Sequence, residues 1–403
     1  MNLLDDARAL ADDLADLRHR LHRRPEIGLR LPRTQDAVLS ALDGLDLEIS
    51  TGIDLSSVTA VLRGGSAPAE DTPVVLLRAD MDALPVHEEV DVPFRSTVDG
   101  AMHACGHDVH IAMLVGAARV LAKQKDVLVG DVVLMFQPGE EGFDGARKMI
   151  SEGVLEAAGR RPDAAFALHV ISNMTDCGRV VSRVGPLMAA SDGMFVTVRG
   201  TAGHGSSPHL SRDPVPATCE IVVALQTAIN RQVDAFAPVV LTVGSIHAGT
   251  RRNIIPETAT FEATVRTFDA QVRGQVRDLA TRVCRGVAAA HGLEVDVEYV
   301  EEYPVTVNDR SAVTFALDVA AEVLGEDRSA VLEKPVTGTE DFSRVIAEVP
   351  GAMLFLGACL EGRDPLTAPS NHSPRAAFDD RVIVDGAALY AELALRRLTA
   401  LSG

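Results

Sequence analysis

The stretch Pro73-Val-Val-Leu-Leu-Arg-Ala-Asp-Met-Asp-Ala-Leu-Pro85 decides the fold class. Its first five residues are uniformly apolar and do not alternate. A strand of that kind is buried on both faces, as in the covered sheet of an α/β domain. It runs into Asp80 and Asp82, alternate residues that share a face if the strand continues. In open α/β sheets, functional groups sit at the carboxyl ends of strands. Asp131–Phe136 repeats the pattern and runs into Gln137-Pro-Gly-Glu140-Glu141. Ala164–Leu168 repeats it once more and ends in His169.

Between the first two strands lies Met102-His-Ala-Cys-Gly-His-Asp-Val-His110. Thiolate and imidazole are the side chains that bind borderline-soft transition metals. The segment has neither a helical stripe nor strand alternation, and Gly106 suggests a turn that brings Cys105 and His107 to one point. Helices are expected at Leu3–Arg24, ended by Pro25, and at Thr34–Leu45, Ile111–Leu121, Gly145–Glu152, Ser311–Leu324 and Asp379–Leu398. Further strands are expected at Val58–Arg63 and Gly351–Gly357.

The pattern changes after Gly185. Met194–Arg199 alternates like a half-exposed strand. Asp213 and Pro214 can begin a helix at the N-cap and first positions, running to about Arg231. Strands at Val239–Ile246 and Thr258–Thr267, a helix at Asp269–His291 capped by Gly292, and a strand at Leu293–Val300 follow. The order β-α-β-β-α-β is the split arrangement of a ferredoxin-like sheet. Residues 187–300 are expected to form a domain inserted into an α/β domain made of residues 1–186 and 301–403.

The 403 residues, 47 % hydrophobic and 24 % charged, are ordinary globular composition. A net charge of -19 with no basic cluster argues against nucleic acid. The acidic start Met1-Asn-Leu-Leu-Asp-Asp is unlike a signal peptide. The longest apolar stretches reach about half of the roughly 18 residues a membrane span needs. The expectation is a cytoplasmic protein with neither membrane nor nucleic-acid partner. Five scattered cysteines do not form a disulfide framework. Four read as small core residues, and Cys105 stands apart.

Cys105, His107, Glu140, Glu141, His169 and His372 are the candidates for chemistry. None lies in the inserted segment, as expected if one sheet edge builds the site. Five ligands exceed what one closed tetrahedral zinc uses and suit two metals sharing a bridge. A carboxylate left unligated then serves as general base. A thiol hydrolase with Cys105 as nucleophile and His107 as base would leave Glu141, His169 and His372 idle. A catalytically silent metal-binding protein would have no need of Glu140.

The chain resembles the M20 metallopeptidases, in particular the N-acyl-amino-acid amidohydrolases that include hippurate hydrolases and indole-acetyl-amino-acid hydrolases. The resemblance is carried by L-H-R-R-P-E at Leu21–Glu26, R-A-D-M-D-A-L-P at Arg78–Pro85, M-H-A-C-G-H-D-V-H at Met102–His110 and Q-P-G-E-E at Gln137–Glu141. It continues in G-H-G-S-S-P-H at Gly203–His209, N-I-I-P at Asn253–Pro256, T-V-R-T-F at Thr264–Phe268, T-E-D-F at Thr339–Phe342 and N-H-S-P at Asn371–Pro374.

The resemblance implies a phosphorylase/hydrolase-like α/β catalytic domain with an inserted ferredoxin-like α+β lid and dimerisation domain. It implies two divalent ions per subunit (Mn, Zn, Co or Ni) on Cys105, His107, Glu141, His169 and His372, with Cys105 bridging. Glu140 matches the general base, and Asp82 the acid that orients a ligand from behind. His204 matches the histidine that stabilises the oxyanion, and Asn253 and Arg266 match positions near the substrate carboxylate. The implied activity is hydrolysis of the amide bond of a small N-acyl amino acid, with a dipeptidase, carboxypeptidase or aminoacylase of the same scaffold as the alternative, and the implied assembly is a homodimer, or a homotetramer, through the inserted domain. Gly139 and Gly205 stand where relatives often carry Ala. His103 and His110 read as supporting or packing residues, and His209 as structural. His19, His22, His87 and His247 read as surface or local structure. Glu340 and Asp341 support the site without a derivable role.

Overall fold

The structure, a computed structural model, describes residues 2–66 and 72–402. Met1 and the acidic pair Glu70-Asp71 before the first central strand lie outside the described residues. The chain divides into two compact units.

The first unit comprises Met1–Leu187, Val307–Lys334 and Asp341–Gly403. Its sheet has eight strands: β1 (Glu48–Thr51), β2 (Val58–Leu62), β3 (Val74–Asp80), β4 (Asp131–Gln137), β5 (Ala164–Ile171), β6 (Val180–Ser182), β7 (Ser329–Val331) and β8 (Gly351–Gly357). Their order is β1-β2-β4-β3-β5-β8-β6-β7. β4, β3, β5 and β8 are mutually parallel and form the middle of the sheet. All of their residues except Ile171 are buried, which accounts for the unbroken apolar runs. Fully burying each Val or Leu contributes about 1.5–3 kcal/mol. The helices His107–Ala122 and Arg381–Ser402 pack on one another and on β3. A Cβ on Gly116 would come within 2.7 Å of the Ala387 Cβ, so the glycine allows this close crossing.

The strand pair β3–β5 does not stay paired to its end. Its register runs from Val75↔Ala164 to Arg78↔Ala167. At the next rung the Tyr390 hydroxyl intervenes, accepting the Leu168 N–H at 2.7 Å and donating to the Arg78 carbonyl at 2.6 Å. One rung further, the Val170 N–H donates to His110 Nε2 at 2.8 Å, and His110 Nδ1 lies 2.5 Å from Asp80 Oδ1. Two side-chain bridges thus replace ladder bonds and spread the carboxyl ends of the strands. Buried backbone groups need partners, and these bridges supply them.

The second unit comprises Met188–Thr306 and Pro335–Glu340. Its antiparallel sheet has the order Val239–Ala248, Thr258–Thr267, Ala190–Arg199, Glu294–Tyr303. Two strands joined through a helix are separated by a third, which is the split β-α-β arrangement. Along Thr258–Thr267 the buried residues Ala259, Phe261, Ala263 and Val265 alternate with more exposed ones. That period of two places one face on the helices Pro214–Gln232 and Ala270–Ala290. Asp213 caps the first helix through the Val215 N–H at 2.9 Å, and Asp269 caps the second through Gln271 at 2.8 Å. The unit runs six residues past residue 300. It also takes in Pro335–Glu340, through a Met188↔Val336 bridge and an Ala189 N–H to Gly338 O bond of 2.9 Å.

Several local expectations differ from what forms. The helix expected over Leu3–Arg24 is two helices, Leu3–Arg8 and Ala11–His22, and nothing in the local sequence marks the break. The helix expected from Ile111 starts at His107, because Gly106 takes φ +83° and turns the chain into it. Cys219 is exposed and Cys177 half-buried, so only some of the cysteines are core residues. His22 is buried, with Nδ1 2.8 Å from Asp108 Oδ2 and Nε2 3.0 Å from Glu88 Oε1. Burial opposes its protonation, but Asp108 and Glu88 outweigh it and the pKa is raised. His19 stacks on Phe94 at 3.8 Å and meets Asp380 at 2.7 Å. Among the described residues, no helix is long and apolar enough to cross a membrane.

Candidate metal centre

The sheet brings the strand-end residues of the first unit to one place. His107 stands in the first turn of its helix, His169 near the end of β5, and Glu140 and Glu141 in the turn after β4. Cys105 immediately precedes Gly106. His372 arrives on a loop with φ +69°, anchored by its N–H to the Ala104 carbonyl at 2.9 Å.

Two groups of donor atoms each lie within 4.8 Å of one another and share the sulfur: Cys105 with His107 and His169, and Cys105 with Glu141 and His372. A third group joins His107, Glu140 and Glu141. The Cys105 Sγ is 3.5 Å from His169 Nε2, and His372 Nε2 is 3.0 Å from Glu141 Oε1.

The imidazoles are held with one nitrogen turned inward. His107 Nδ1 donates to the Asp82 carbonyl at 2.8 Å, which leaves Nε2 buried with no hydrogen-bond partner among the described residues. His169 Nδ1 donates to the Val170 carbonyl at 2.8 Å, which turns Nε2 toward Cys105. Fixing one ring nitrogen so that the other can coordinate is how proteins prepare histidine ligands. Glu141 Oε1 is likewise buried, facing His372 Nε2. One thiolate, three imidazoles and a carboxylate fit Zn²⁺, Mn²⁺, Co²⁺ or Ni²⁺.

Electrostatics divide the histidines. Burial, with His110 nearby, holds His169 well below its usual pKa, so the ring is neutral. Burial lowers His110 as well, against the pull of Asp80. Burial opposes protonation of His107, yet the Asp80 charge and contacts with Asp82 and Cys105 raise it well above its usual value. Contacts with Cys105 and Glu141 push His372 up to about 10. In the metal-free protein His372 carries a proton that a metal must displace.

The turn bearing Glu140 and Glu141 is pinned from behind. Asp82 Oδ1 accepts the Glu140 N–H at 2.9 Å and Oδ2 the Glu141 N–H at 3.0 Å. Asp82 therefore acts on the backbone of the carboxylate pair; its oxygen is 3.7 Å from His107 Nδ1, and that ring bonds its carbonyl instead. Gln137 Nε2 donates to Asp341 at 2.8 Å, and Arg78 reaches Gln137 Oε1 at 2.9 Å and Asp341 at 3.0 Å. Asp341 also takes the Ala146 N–H at 2.9 Å, so it braces both sides of the turn. Asp80 pairs with Arg78 at 2.7 Å and with His110. Burial alone would raise its pKa, but Arg78, His107 and His110 hold it well below the carboxylate range. These braces sit inside quoted motifs, but residue type alone did not assign them a partner.

The candidates in the second unit are placed as follows. His204 and Asn253 are exposed neighbours on a small ribbon, where Ile254 pairs with His204 and the Gly205 N–H reaches the Asn253 carbonyl at 2.9 Å. The Ser206 N–H donates to His204 Nδ1 at 3.2 Å, so a neutral ring carries its proton on Nε2. Arg266 lies eight residues along from Thr258, near the other end of its strand, roughly 26 Å away by strand rise. Its Nη1 donates to Ser191 Oγ at 2.8 Å and to Thr264 Oγ1 at 2.6 Å. Within this unit it is not brought to His204 and Asn253.

Residues 76–396 match Peptidase family M20/M25/M40. The chain is 36 % identical to thermostable carboxypeptidase 2 of Saccharolobus solfataricus, over 98 % of each protein. It is 34 % identical to the hippurate hydrolase of Campylobacter jejuni, over 99 % of this chain and 100 % of that protein. Among solved structures it is similar to a dinuclear metal binding peptidase of Bacillus subtilis from the M20 family. The TM-score is 0.81 with 31 % identity, covering 97 % of this chain and 99 % of that one.

Proposed function

The chain belongs to peptidase family M20/M25/M40 and is a metal-dependent amidohydrolase, and from that premise we propose that it cleaves the amide bond of N-acyl amino acids. Hippurate-like, N-acetyl and indole-acetyl conjugates are the proposed substrates. The observation that carries this reading is the pair of donor groups sharing Cys105, with Glu140 alongside. Cys105, His107, Glu141, His169 and His372 would hold two divalent ions. Such ions supply acidification of a nearby water and polarisation of the scissile carbonyl.

Glu140 is the general base. Its carboxylate takes the proton of the attacking water and returns it to the leaving nitrogen. Asp82 keeps Glu140 and Glu141 in one fixed relation, so base and ligand stay in register. His204 presents Nε2–H to the oxygen of the tetrahedral intermediate, reaching the partner subunit's site in a homodimer. Asn253 and Arg266, which lie apart within one unit, would receive the substrate carboxylate from different subunits of the dimer. The second unit serves as lid and dimerisation surface, in a dimer or a tetramer.

A second reading is favoured by the 36 % identical relative named a carboxypeptidase. There the acyl group is a peptide and the product a C-terminal amino acid. One experiment addresses both. The Mn²⁺-loaded protein is offered N-acetyl, N-benzoyl and indole-acetyl amino acids beside N-blocked peptides, before and after chelation. Preference for simple acyl groups supports the first reading, and preference for peptides the second. Turnover indifferent to chelation would overturn the metal centre and favour Cys105 as nucleophile. Turnover surviving in Glu140→Gln would overturn the base assignment.

A further inference from the structure

Asn371, the residue before His372, is half-buried, and its amide reaches two other ligand-bearing segments of the first unit. Its Nδ2 lies 3.0 Å from the Val170 carbonyl, 3.3 Å from the Cys105 carbonyl and 3.7 Å from Cys105 Sγ. An amide nitrogen has two hydrogens. One goes to Val170, and the other is shared between the carbonyl and the sulfur of Cys105. Its Oδ1 accepts the Ser172 N–H at 3.0 Å, which fixes the amide's orientation; the Ser172 hydroxyl lies 2.9 Å from Oδ1 and 2.8 Å from the Pro369 carbonyl. With Oδ1 committed to Ser172, Nδ2 has to face the sulfur.

The Val170 carbonyl is a junction. It accepts the Asn371 amide and also His169 Nδ1 at 2.8 Å, the bond that aims His169 Nε2 at Cys105. One side chain therefore touches the sulfur of one candidate ligand and the carbonyl that orients a second, while its own backbone leads into the third.

We propose that Asn371 is a positioning residue of the metal centre, holding the Cys105 thiolate, the His169 ring and His372 in one arrangement and donating an N–H to the Cys105 sulfur. This rests on the reading of Cys105 as a metal ligand. A hydrogen bond to a thiolate stabilises its filled orbitals and weakens its donation to a metal. A plain loop brace would not change the sulfur's electronic state.

The test uses the full chain loaded with Co²⁺ and follows the thiolate-to-cobalt charge-transfer band in the near ultraviolet. In Asn371→Ala the band moves to lower energy, and Co²⁺ affinity falls about 10- to 100-fold, the usual range for loss of a supporting partner. Ser172→Ala keeps the amide donor and leaves the band where it is. A band at the wild-type energy in Asn371→Ala overturns the proposal, whatever happens to affinity. A band that moves equally in Ser172→Ala also overturns it, because the loop rather than the N–H then sets the sulfur. If Asn371→Ala does not fold, Asn371→Asp is read in the same way, since it keeps the shape and Ser172 contacts but loses both hydrogens. Absence of the band in the wild type is a separate outcome: it removes Cys105 from the ligand set and the proposal with it.

Discussion

Asp82→Asn tests whether one buried carboxylate sets base and ligand together. Asp82 accepts the amides of Glu140 and Glu141 at 2.9 Å and 3.0 Å from within the protein. Asparagine keeps one acceptor and turns a donor toward the other amide. One bond becomes neutral, and one buried N–H loses its partner. A hydrogen bond to a charged group contributes about 1.5–3 kcal/mol, and an orphaned buried donor costs about 1–3 kcal/mol. The turn is destabilised by roughly 2–4 kcal/mol on those figures, a large part of a typical net stability of about 5–15 kcal/mol. Because Glu140 and Glu141 are adjacent, both move. Metal affinity falls about 10- to 100-fold through Glu141. The turnover number of the fully loaded enzyme falls about 100-fold through a base misplaced by about 1 Å. Glu140→Gln, by contrast, removes turnover and spares affinity. Urea unfolding of the metal-free protein, competition titration against a chromophoric chelator and turnover at saturating metal read the three quantities. A lowered unfolding midpoint with wild-type affinity and turnover would refute the reasoning, because Asp82 would then serve the fold alone.

Three further outcomes are expected. Gly106→Ala places a Cβ 2.4 Å from Val170 Cγ2 at a φ of +83°, costing about 1–2 kcal/mol for the backbone and about 1–3 kcal/mol for overpacking; an unchanged thermal midpoint would contradict this. His372 is raised to about 10 in the metal-free protein, so metal affinity should climb as pH rises toward that value, with proton release seen by calorimetry in buffers of different ionisation heat. The stability contribution has the opposite slope: it is complete below the ordinary value of 6.5 and is lost as pH rises through about 10. An affinity flat with pH would count against it. Tyr390→Phe leaves the Leu168 N–H and the Arg78 carbonyl without their hydroxyl. It should cost about 1–3 kcal/mol in unfolding free energy and lower activity by more than that loss of folded protein explains; wild-type activity per folded molecule would refute the link.

The parts legible in the sequence are those with local causes. Apolar runs such as Val74–Leu77 are read directly because every residue is buried. Asp213 and Asp269 announce helices because capping needs only neighbours two or three residues on. The six candidates could be gathered by type at strand ends, but their grouping around Cys105 depends on which strands adjoin. Side-chain bonds across long separations were not legible. His22 meets Asp108 at a separation of 86 residues, and a surface histidine has the same local sequence as a buried one. Asp341 meets Gln137 at a separation of 204 residues. Asn371 had a place in a motif but no partner until Val170 and Cys105 stood beside it. Tyr390, in a helix with an apolar buried face, reads as one more core residue.

The Tyr390 hydroxyl also has a consequence in time. Each of the residues proposed for chemistry precedes residue 373, yet the spacer between β3 and β5 arrives 18 residues after His372. Until the helix that carries it docks, every donor is present but nothing separates the strands that carry them. During that interval the Leu168 N–H and the Arg78 carbonyl can pair directly and zip the crevice closed. Hydrolytic competence is thereby tied to docking of the helix Arg381–Ser402, and Tyr390→Phe should take up metal more slowly during refolding than the wild type although it contains all five ligands.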